Sequence, residues 1–246
     1  MNDWQTWSKT LQEVLSLARA PVAVSYTDSP AENASTGRCR VCSGIFRAAA
    51  GEVLDLTAEN SACPGGSLYL GLRPQPPEQA ETLREFLING EKLFSCPAAI
   101  HRSWALSKVK PPLGMAKHVV LCPLAKSELK PDVTIFLCNA WQAARLVSLA
   151  WYETGMPMEC DPTGALCKSV ITYPLITGQV NVSLGDITAR KSERMSENEL
   201  FVTLPYVHLR STIDSIDRCG AGRAKVELPP SMRQMIEASG GEPPEL

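Results

Sequence analysis

Two apolar runs near the middle of the chain constrain its fold more than any other feature of the sequence. Residues 117–124 and 133–138 are rich in β-branched side chains, and a charged, hairpin-like connection joins them. Runs of this length and composition are typical of buried strands. They predict two adjacent buried strands. The following segment, 139–154, has the spacing of an amphipathic helix with Asn139 as its N-cap.

Strand and helix patterns alternate along the rest of the chain. The segments expected to be strands are 22–26, 52–57, 179–183 and 199–204, and those expected to be helices are 4–20, 43–50, 78–88, 165–173 and 205–216. This alternation predicts an α/β or α+β fold with a single mixed sheet flanked by helices. We expect one domain over residues 1–246, with an N-terminal helix in 1–20 packed on it and a C-terminal helix and polar tail in 225–246.

A weak internal repeat suggests two pseudo-symmetric halves. The tripeptide Gly-Glu-Val at 51–53 follows Cys42 and leads into a predicted strand, and Gly-Gln-Val at 178–180 follows Cys167 in the same way. In each copy the cysteine stands at the start of a predicted helix. Two cysteine-bearing half-units around one site would explain the repeat. Chance similarity of two short segments is the alternative.

Composition argues against several classes of function. No stretch approaches the roughly 18 to 20 uninterrupted apolar residues of a membrane-spanning helix. The N-terminus lacks the basic start and apolar run of an export signal, so a soluble, cytoplasmic protein is expected. A net charge of −2 and a pI near 6.0 provide no basic surface for nucleic acid. The sequence therefore predicts neither a membrane nor a nucleic-acid partner.

Nine cysteines in a chain without an export signal indicate metal or redox chemistry rather than a disulfide framework. Cys39 and Cys42 form a Cys-x-x-Cys pair, a spacing that lets two thiolates reach one metal. Two ordinary thiols are the alternative. A thioredoxin-type redox pair fits less well, because the motif follows a long polar loop rather than a strand-to-helix turn.

Two further cysteine motifs lie elsewhere in the chain. Cys63 precedes a proline and then Gly65 and Gly66, whose backbone can approach a bulky group closely and whose amides can point at sulfide. Cys167 stands at a predicted helix start, where amides and the helix dipole stabilise a thiolate. It is a better ligand candidate than the nearby Cys160.

The remaining cysteines and histidines carry weaker signals. Cys122 and Cys138 fall inside the apolar runs, as inert core thiols do, and Cys96 and Cys219 have no partner nearby in the sequence. The three histidines are far apart and show no zinc-enzyme spacing. The chain also lacks a Gly-x-x-x-x-Gly-Lys loop and a Gly-x-Ser-x-Gly elbow. Nucleotide-binding and serine-hydrolase functions therefore lack their key residues.

The order of these motifs resembles that of the domain of unknown function 169 family, a group of uncharacterised bacterial and archaeal proteins found largely in anaerobes. The resemblance extends from about Trp7 to Ile216. It rests on Arg-Ala-Pro-Val-Ala-Val at 19–24, Cys42 with Ala-Ala-Ala-Gly-Glu at 48–52, Cys-Pro-Gly-Gly at 63–66 with Leu-Gly-Leu at 70–72, Gly-Ala-Leu-Cys at 164–167, Tyr-Pro at 173–174, and Asn-Val-Ser-Leu-Gly-Asp at 181–186 with Arg190.

The resemblance implies three recurring cysteines, here Cys42, Cys63 and Cys167, brought together from distant parts of the chain. Three thiolates suit a four-iron four-sulfur cluster with one iron left open. Some relatives look as though they carry a cysteine at the position of Asp186, which leaves the fourth ligand open. The candidates for it are Cys39, Cys160, Asp186 and an external ligand.

Three functions agree with these expectations, and whether the chain is an enzyme stays open. The first is an enzyme whose open iron binds a small-molecule substrate, with Arg190 as an anion clamp and Asp186 as a ligand or base. The second is a non-catalytic iron–sulfur module that passes electrons to a redox partner protein or senses oxygen. The third is a structural zinc protein whose four thiolates come from Cys39, Cys42, Cys63 and Cys167. A homo-oligomer is compatible with each.

Overall fold

The computed structural model describes residues 2–105, 109–155, 158–162, 164–193 and 195–244. Within these ranges the chain forms ten α-helices and six strands. Their bounds in chain order are α1 (Asp3–Leu15), β1 (Val22–Thr27), α2 (Val41–Ala49), β2 (Leu54–Leu56), α3 (Pro64–Tyr69), α4 (Pro77–Glu85), α5 (Pro97–Ala105), β3 (His118–Pro123), β4 (Val133–Cys138), α6 (Ala140–Trp151), α7 (Tyr173–Thr177), β5 (Asn181–Ser183), α8 (Ile187–Ser192), β6 (Leu200–Pro205), α9 (Tyr206–Ser215) and α10 (Pro230–Ala238). π-Helical turns at Phe86–Gly90 and Lys168–Thr172 extend α4 and precede α7.

The six strands form one sheet in the order β2-β3-β1-β4-β6-β5, and their pairings are antiparallel. The prediction of a single sheet flanked by helices is confirmed, but the strands of this sheet pair antiparallel rather than in the predicted mixed arrangement, which favours the α+β alternative. The predicted adjacency of the two central runs is wrong, because β1 lies between β3 and β4. Residues 124–132 are long enough to cross one intervening strand, a distance of about 10 Å. The central position buries Val22 and Val24 of β1 completely.

An approximate two-fold symmetry relates the two halves of the sheet. β1, β2 and β3 have six, three and six residues, and β4, β5 and β6 repeat these lengths in the same order. A three-residue strand lies at each edge, and β1 and β4 pair at the centre. The register repeats as well, since Val22 lies opposite Pro123 in one half and Val133 opposite Pro205 in the other. The pseudo-symmetric halves suggested by the internal repeat are therefore present in the architecture.

Helices cover both faces of the sheet and form two separate cores. The first core contains side chains of α2, the loop after α3 and the helical segment after Ala165, packed on one face of β1, β3 and β4. The second core contains side chains of α1, α6 and α9 on the opposite face. Successive side chains of β1 point to opposite faces of the sheet. Val22 and Val24 therefore lie in the first core and Ala23 lies in the second. The side chain of a cysteine in a central strand, such as Cys122 or Cys138, is therefore in contact with only one of the two cores.

Local signals explain where the flanking helices begin and end. α1 ends at Leu15, earlier than predicted, because Ser16 adopts the left-handed conformation with φ 51° and closes the helix. The predicted N-cap Asn139 accepts a hydrogen bond from the backbone N–H of Gln142 at 2.9 Å. α10 lies in the predicted 225–246 segment, whose last two residues fall outside the described ranges.

The described helices include none that could span a bilayer. α6, the second longest at 12 residues, is short of the roughly 20 that such a span needs.

Candidate functional site

Three cysteines from distant segments lie within electrostatic range of one another on the first-core side of the sheet. They are Cys42 in the first turn of α2, Cys63 at the N-cap of α3, and Cys167 directly before the π-helical turn. Burial raises the pKa of Cys42 to about 11, and the neighbouring Cys63 acts in the same direction. Burial, then Cys63 and Cys42, raise the pKa of Cys167 well above its usual value. The fold thus brings together cysteines that are up to about 125 residues apart in the chain.

The pseudo-two-fold symmetry relates the side chains of this cluster in pairs. Cys42 and Cys167 lie in the helical segments that connect β1 to β2 and β4 to β5. Cys63 and Asp186 are the N-caps of α3 and α8, which follow β2 and β5. Each of these caps accepts a hydrogen bond from the backbone N–H three residues further on, at 3.4 Å for the thiol and 2.6 Å for the carboxylate. Asp186 therefore occupies in the second half the position that Cys63 occupies in the first.

Asp186 also holds the segment that carries Cys167. Its Oδ2 accepts a hydrogen bond from the backbone N–H of Leu166 at 2.9 Å, while its Oδ1 accepts from that of Ala189 at 2.6 Å. Both carboxylate oxygens are thus bonded to backbone amides. The geometry supports a positioning role for Asp186, and its predicted role as a cluster ligand or base stays a prediction.

The two glycines after Cys63 have different surroundings. A Cβ at Gly66 would lie 2.7 Å from Cγ2 of Val41, so glycine at this position lets α3 approach α2 closely. A Cβ at Gly65 would meet no atom within 4 Å. Gly65, two residues after Cys63, therefore borders open space, and the predicted approach of its backbone to a bulky group stays a prediction.

We expect Gly66→Ala to lower the free energy of unfolding by about 1–3 kcal/mol, because the added methyl group would overlap Val41. Gly65→Ala is the matched control in the same helix. It should change the free energy of unfolding by no more than about 1 kcal/mol, in the stabilising direction, because alanine favours helix over glycine. Urea denaturation of both variants measures the difference. Equal values for the two would contradict the close α2–α3 contact.

Arg190 is engaged by the backbone rather than directed at the cysteines. Its Nη1 donates to the carbonyl oxygens of Leu184 and Glu199 at 2.7 and 2.9 Å, and its Nη2 donates to those of Ser196 and Glu197 at 3.0 and 3.1 Å. These bonds tie α8 to the loop before β6. The predicted anion clamp remains untested. An open cleft of about 840 Å³ adjoins Arg190, and none of the cysteines lines it.

Cys39 lies near Cys42 in the sequence but has different neighbours. It is 5% exposed and belongs to the first core. Its thiol donates to the carbonyl oxygen of Arg40 at 3.2 Å and interacts with the side chain of Arg47. A fourth thiolate from Cys39 would therefore require this side chain to leave its present contacts.

A polar group beside Cys42 was missed by sequence reasoning. Arg40 Nη2 and Ser43 Oγ both donate to Glu193 Oε1, at 2.9 and 2.7 Å. Arg40 and Glu193 lie close enough to Cys42 to act on its pKa, in opposite directions. Arg40 stands inside the Cys-x-x-Cys motif, which was a local signal for it. Glu193 is about 150 residues away and had none.

Three of the other cysteines, Cys122, Cys138 and Cys219, lie in the second core and so apart from the cluster, as predicted for core or structural thiols. Cys122 and Cys138 belong to the second core, on the opposite face of the sheet, where burial raises their pKa values to about 11 and about 12. Cys219 is buried in the same core, and Cys160 is exposed. In the described ranges, no three His, Cys, Asp or Glu side chains are arranged to hold one metal ion.

Comparison with known proteins identifies relatives whose functions are not established. The sequence profile of a family described as DUF169, uncharacterised ArCR, matches residues 10–215, a range that contains the whole cysteine cluster. An uncharacterized protein of Methanocaldococcus jannaschii is 25% identical over 164 residues, which cover 65% of this chain and 68% of that protein. No solved structure matches the chain.

Proposed function

The chain belongs to the DUF169 family, and we propose that it binds a four-iron four-sulfur cluster through Cys42, Cys63 and Cys167, with one iron open to a small ligand. The observation that carries this proposal is the convergence of these three thiols from three separate segments. Their position on one side of the sheet also separates them from the thiols of the second core.

The surroundings of Cys63 fit a bulky inorganic group. The backbone N–H of Gly66 donates to Cys63 Sγ at 3.4 Å, and hydrogen bonds to sulfur are a main means by which a protein tunes such a cluster. Open space also adjoins Gly65, two residues after Cys63 in the chain. A short side chain at that position would fill part of this space, so the glycine is consistent with a group bound there.

A polynuclear cluster fits the donor set better than a structural zinc ion does. Each thiolate of an iron–sulfur cluster binds a different iron, so the ligands stand further apart than those of one ion. A closed zinc site needs four ligands, and the nearest fourth thiol in sequence, Cys39, is engaged with Arg47.

The two corresponding helix caps differ in residue type, with a thiol at Cys63 and a carboxylate at Asp186, and this difference favours an open iron. Four pseudo-symmetric positions surround the cluster site, and one of them holds the carboxylate of Asp186, whose oxygens already accept backbone hydrogen bonds. When bound, a cluster with an open iron supplies a Lewis acid to which a small molecule can bind. Arg40 and Ser43, held by Glu193 beside Cys42, would offer polar contacts to such a molecule. A small-molecule substrate is therefore favoured over a redox partner protein.

The test of the proposal is anaerobic purification followed by iron, sulfide and zinc analysis and a visible absorption spectrum. We expect about four iron and four sulfide per chain, as in a four-iron cluster, and broad visible absorption. A colourless protein with one zinc per chain would point to the structural zinc alternative. A protein that takes up neither metal on anaerobic reconstitution would mean that the three thiols only pack against one another.

Replacing Cys39 should leave the cluster in place. Because this thiol interacts with Arg47 and the Arg40 carbonyl, we expect a Cys39→Ser variant to bind the same amount of iron as the wild type. Iron and sulfide analysis after anaerobic reconstitution measures this. Loss of iron from Cys39→Ser would instead indicate a closed site with four cysteines, and would favour electron transfer or a structural role.

A further inference from the structure

Tyr26 has a buried hydroxyl group without a hydrogen-bond partner among the described residues. Native proteins rarely leave a buried hydroxyl unpaired, because its desolvation is then uncompensated. The backbone around it is firmly fixed. The N–H of Tyr26 donates to Asp132 Oδ2 at 2.7 Å, and the residue pairs with Val119 across the sheet. The phenol is thus held in place, and its hydroxyl has no acceptor among the residues that the structure describes.

The side chain of Tyr26 belongs to the same core as the cysteine cluster. It lies on the face of β1 that carries Val22 and Val24, and it packs against the first core together with Cys42. Cys167 lies in that core too, within electrostatic range of the phenol. The unpaired donor and the proposed cluster ligand therefore occupy the same side of the sheet.

We propose that the hydroxyl of Tyr26 donates a hydrogen bond to sulfur at the Cys167 corner of the bound cluster. The inference rests on the proposed function, because the acceptor is present only when the cluster is bound. A thiolate or sulfide bound to iron is a charged acceptor, and bonds to charged acceptors are stronger than those between neutral groups. Tyrosine is a suitable donor, since its phenol keeps its proton at neutral pH. The bond would explain why a partnerless hydroxyl is held beside the cluster site.

The test compares Tyr26→Phe with the wild type and with Tyr152→Phe, a control in which the tyrosine is 45% exposed. The reconstituted proteins are exposed anaerobically to an iron chelator, and the rate of bleaching of the cluster is followed. We expect Tyr26→Phe to lose its cluster about 10 to 100 times faster than the other two, the range that corresponds to one charge-assisted hydrogen bond. The control should bleach at the wild-type rate.

A second measurement separates this role from a loss of stability. Without the cluster, Tyr26→Phe should unfold at the same urea concentration as the wild type or at a higher one, because phenylalanine removes an unpaired buried hydroxyl. The inference therefore requires opposite effects in the two states, a weaker hold on the cluster and an undiminished stability without it.

Three outcomes would contradict the inference, and they are distinguishable. Equal bleaching rates for Tyr26→Phe and the wild type would overturn it while leaving the proposed cluster intact. Faster bleaching together with lower stability of the cluster-free variant would show that Tyr26 only supports the fold. A wild-type chain that binds no iron would overturn the proposed function itself, and this inference with it, before any variant is compared.

Discussion

A Cys63→Ser variant should lose its cluster, with iron and sulfide falling to background after anaerobic reconstitution. Cys63 lies within electrostatic range of both Cys42 and Cys167, and Gly65, two residues further on, borders open space. Serine keeps the N-cap of α3, because a hydroxyl accepts the backbone hydrogen bond as a thiol does, so the fold should persist. Even changes to outer partners of metal ligands cost roughly 10- to 100-fold in affinity, and loss of a ligand should exceed this.

Cys122→Ser and Cys138→Ser are the matched controls for this result. Both thiols lie in the second core, on the opposite side of the sheet, so these variants should bind as much iron as the wild type. They should nevertheless unfold more easily, by about 1–3 kcal/mol, because serine places a more polar group than cysteine in the buried second core. Full iron loading of Cys63→Ser, or loss of iron from either control, would contradict the proposed ligand set.

Most of the elements of the fold were predictable because local periodicity determines them. The strands near 22–26, 133–138 and 199–204 and the helix capped by Asn139 lie where their patterns predict. The strand order was harder to predict, because it depends on contacts between distant segments. The charged connection after residue 124 suggested a hairpin, whereas β1 inserts between the two runs and pairs with both. A strand formed near the start of the chain left no local signal of that insertion.

The three candidate ligands of the site were predictable, but their surroundings were less so. Cys42, Cys63 and Cys167 stand in recognisable motifs, and the structure brings them together. The orientation of charged groups was not predictable, because a guanidinium can face either a ligand or the backbone. Arg190 was predicted to be an anion clamp, which stays a prediction, and its terminal nitrogens donate to four carbonyl oxygens that the sequence did not indicate. Tyr26 lies in an ordinary strand pattern, and only its environment in the folded chain singles it out.

The pseudo-two-fold symmetry of the fold bears directly on the composition of the candidate site. Sequence comparison of the halves finds only short matches, since the strands agree in length and register rather than in residue type. The architecture nevertheless places Asp186 opposite Cys63 as the corresponding helix cap. For the cluster proposed here, the fold therefore places the fourth position at residue 186. The residue at that position then decides whether a bound cluster is open or closed.

An Asp186→Cys variant should close the site. The wild-type cluster is expected to respond to added cyanide by a shift of its visible spectrum, because one iron is open to external ligands. In the variant a fourth thiolate would stand at the symmetric counterpart of Cys63, already close to the iron. Such a tethered ligand competes at an effective concentration of about millimolar or more. We therefore expect no spectral shift at cyanide concentrations about 100-fold above those that saturate the wild type.

Asp186→Asn is the matched control, because asparagine also caps α8 but supplies no thiolate. Its cluster should respond to cyanide as the wild type does, and its visible spectrum should match. Both variants weaken the hydrogen bond that residue 186 accepts from the backbone N–H of Leu166. We therefore expect both to lower the free energy of unfolding by about 1 kcal/mol. Only the thiol distinguishes the two. A cyanide response that persists in Asp186→Cys would mean that the fourth position is not at residue 186, and a wild type indifferent to cyanide would mean that the site is already closed.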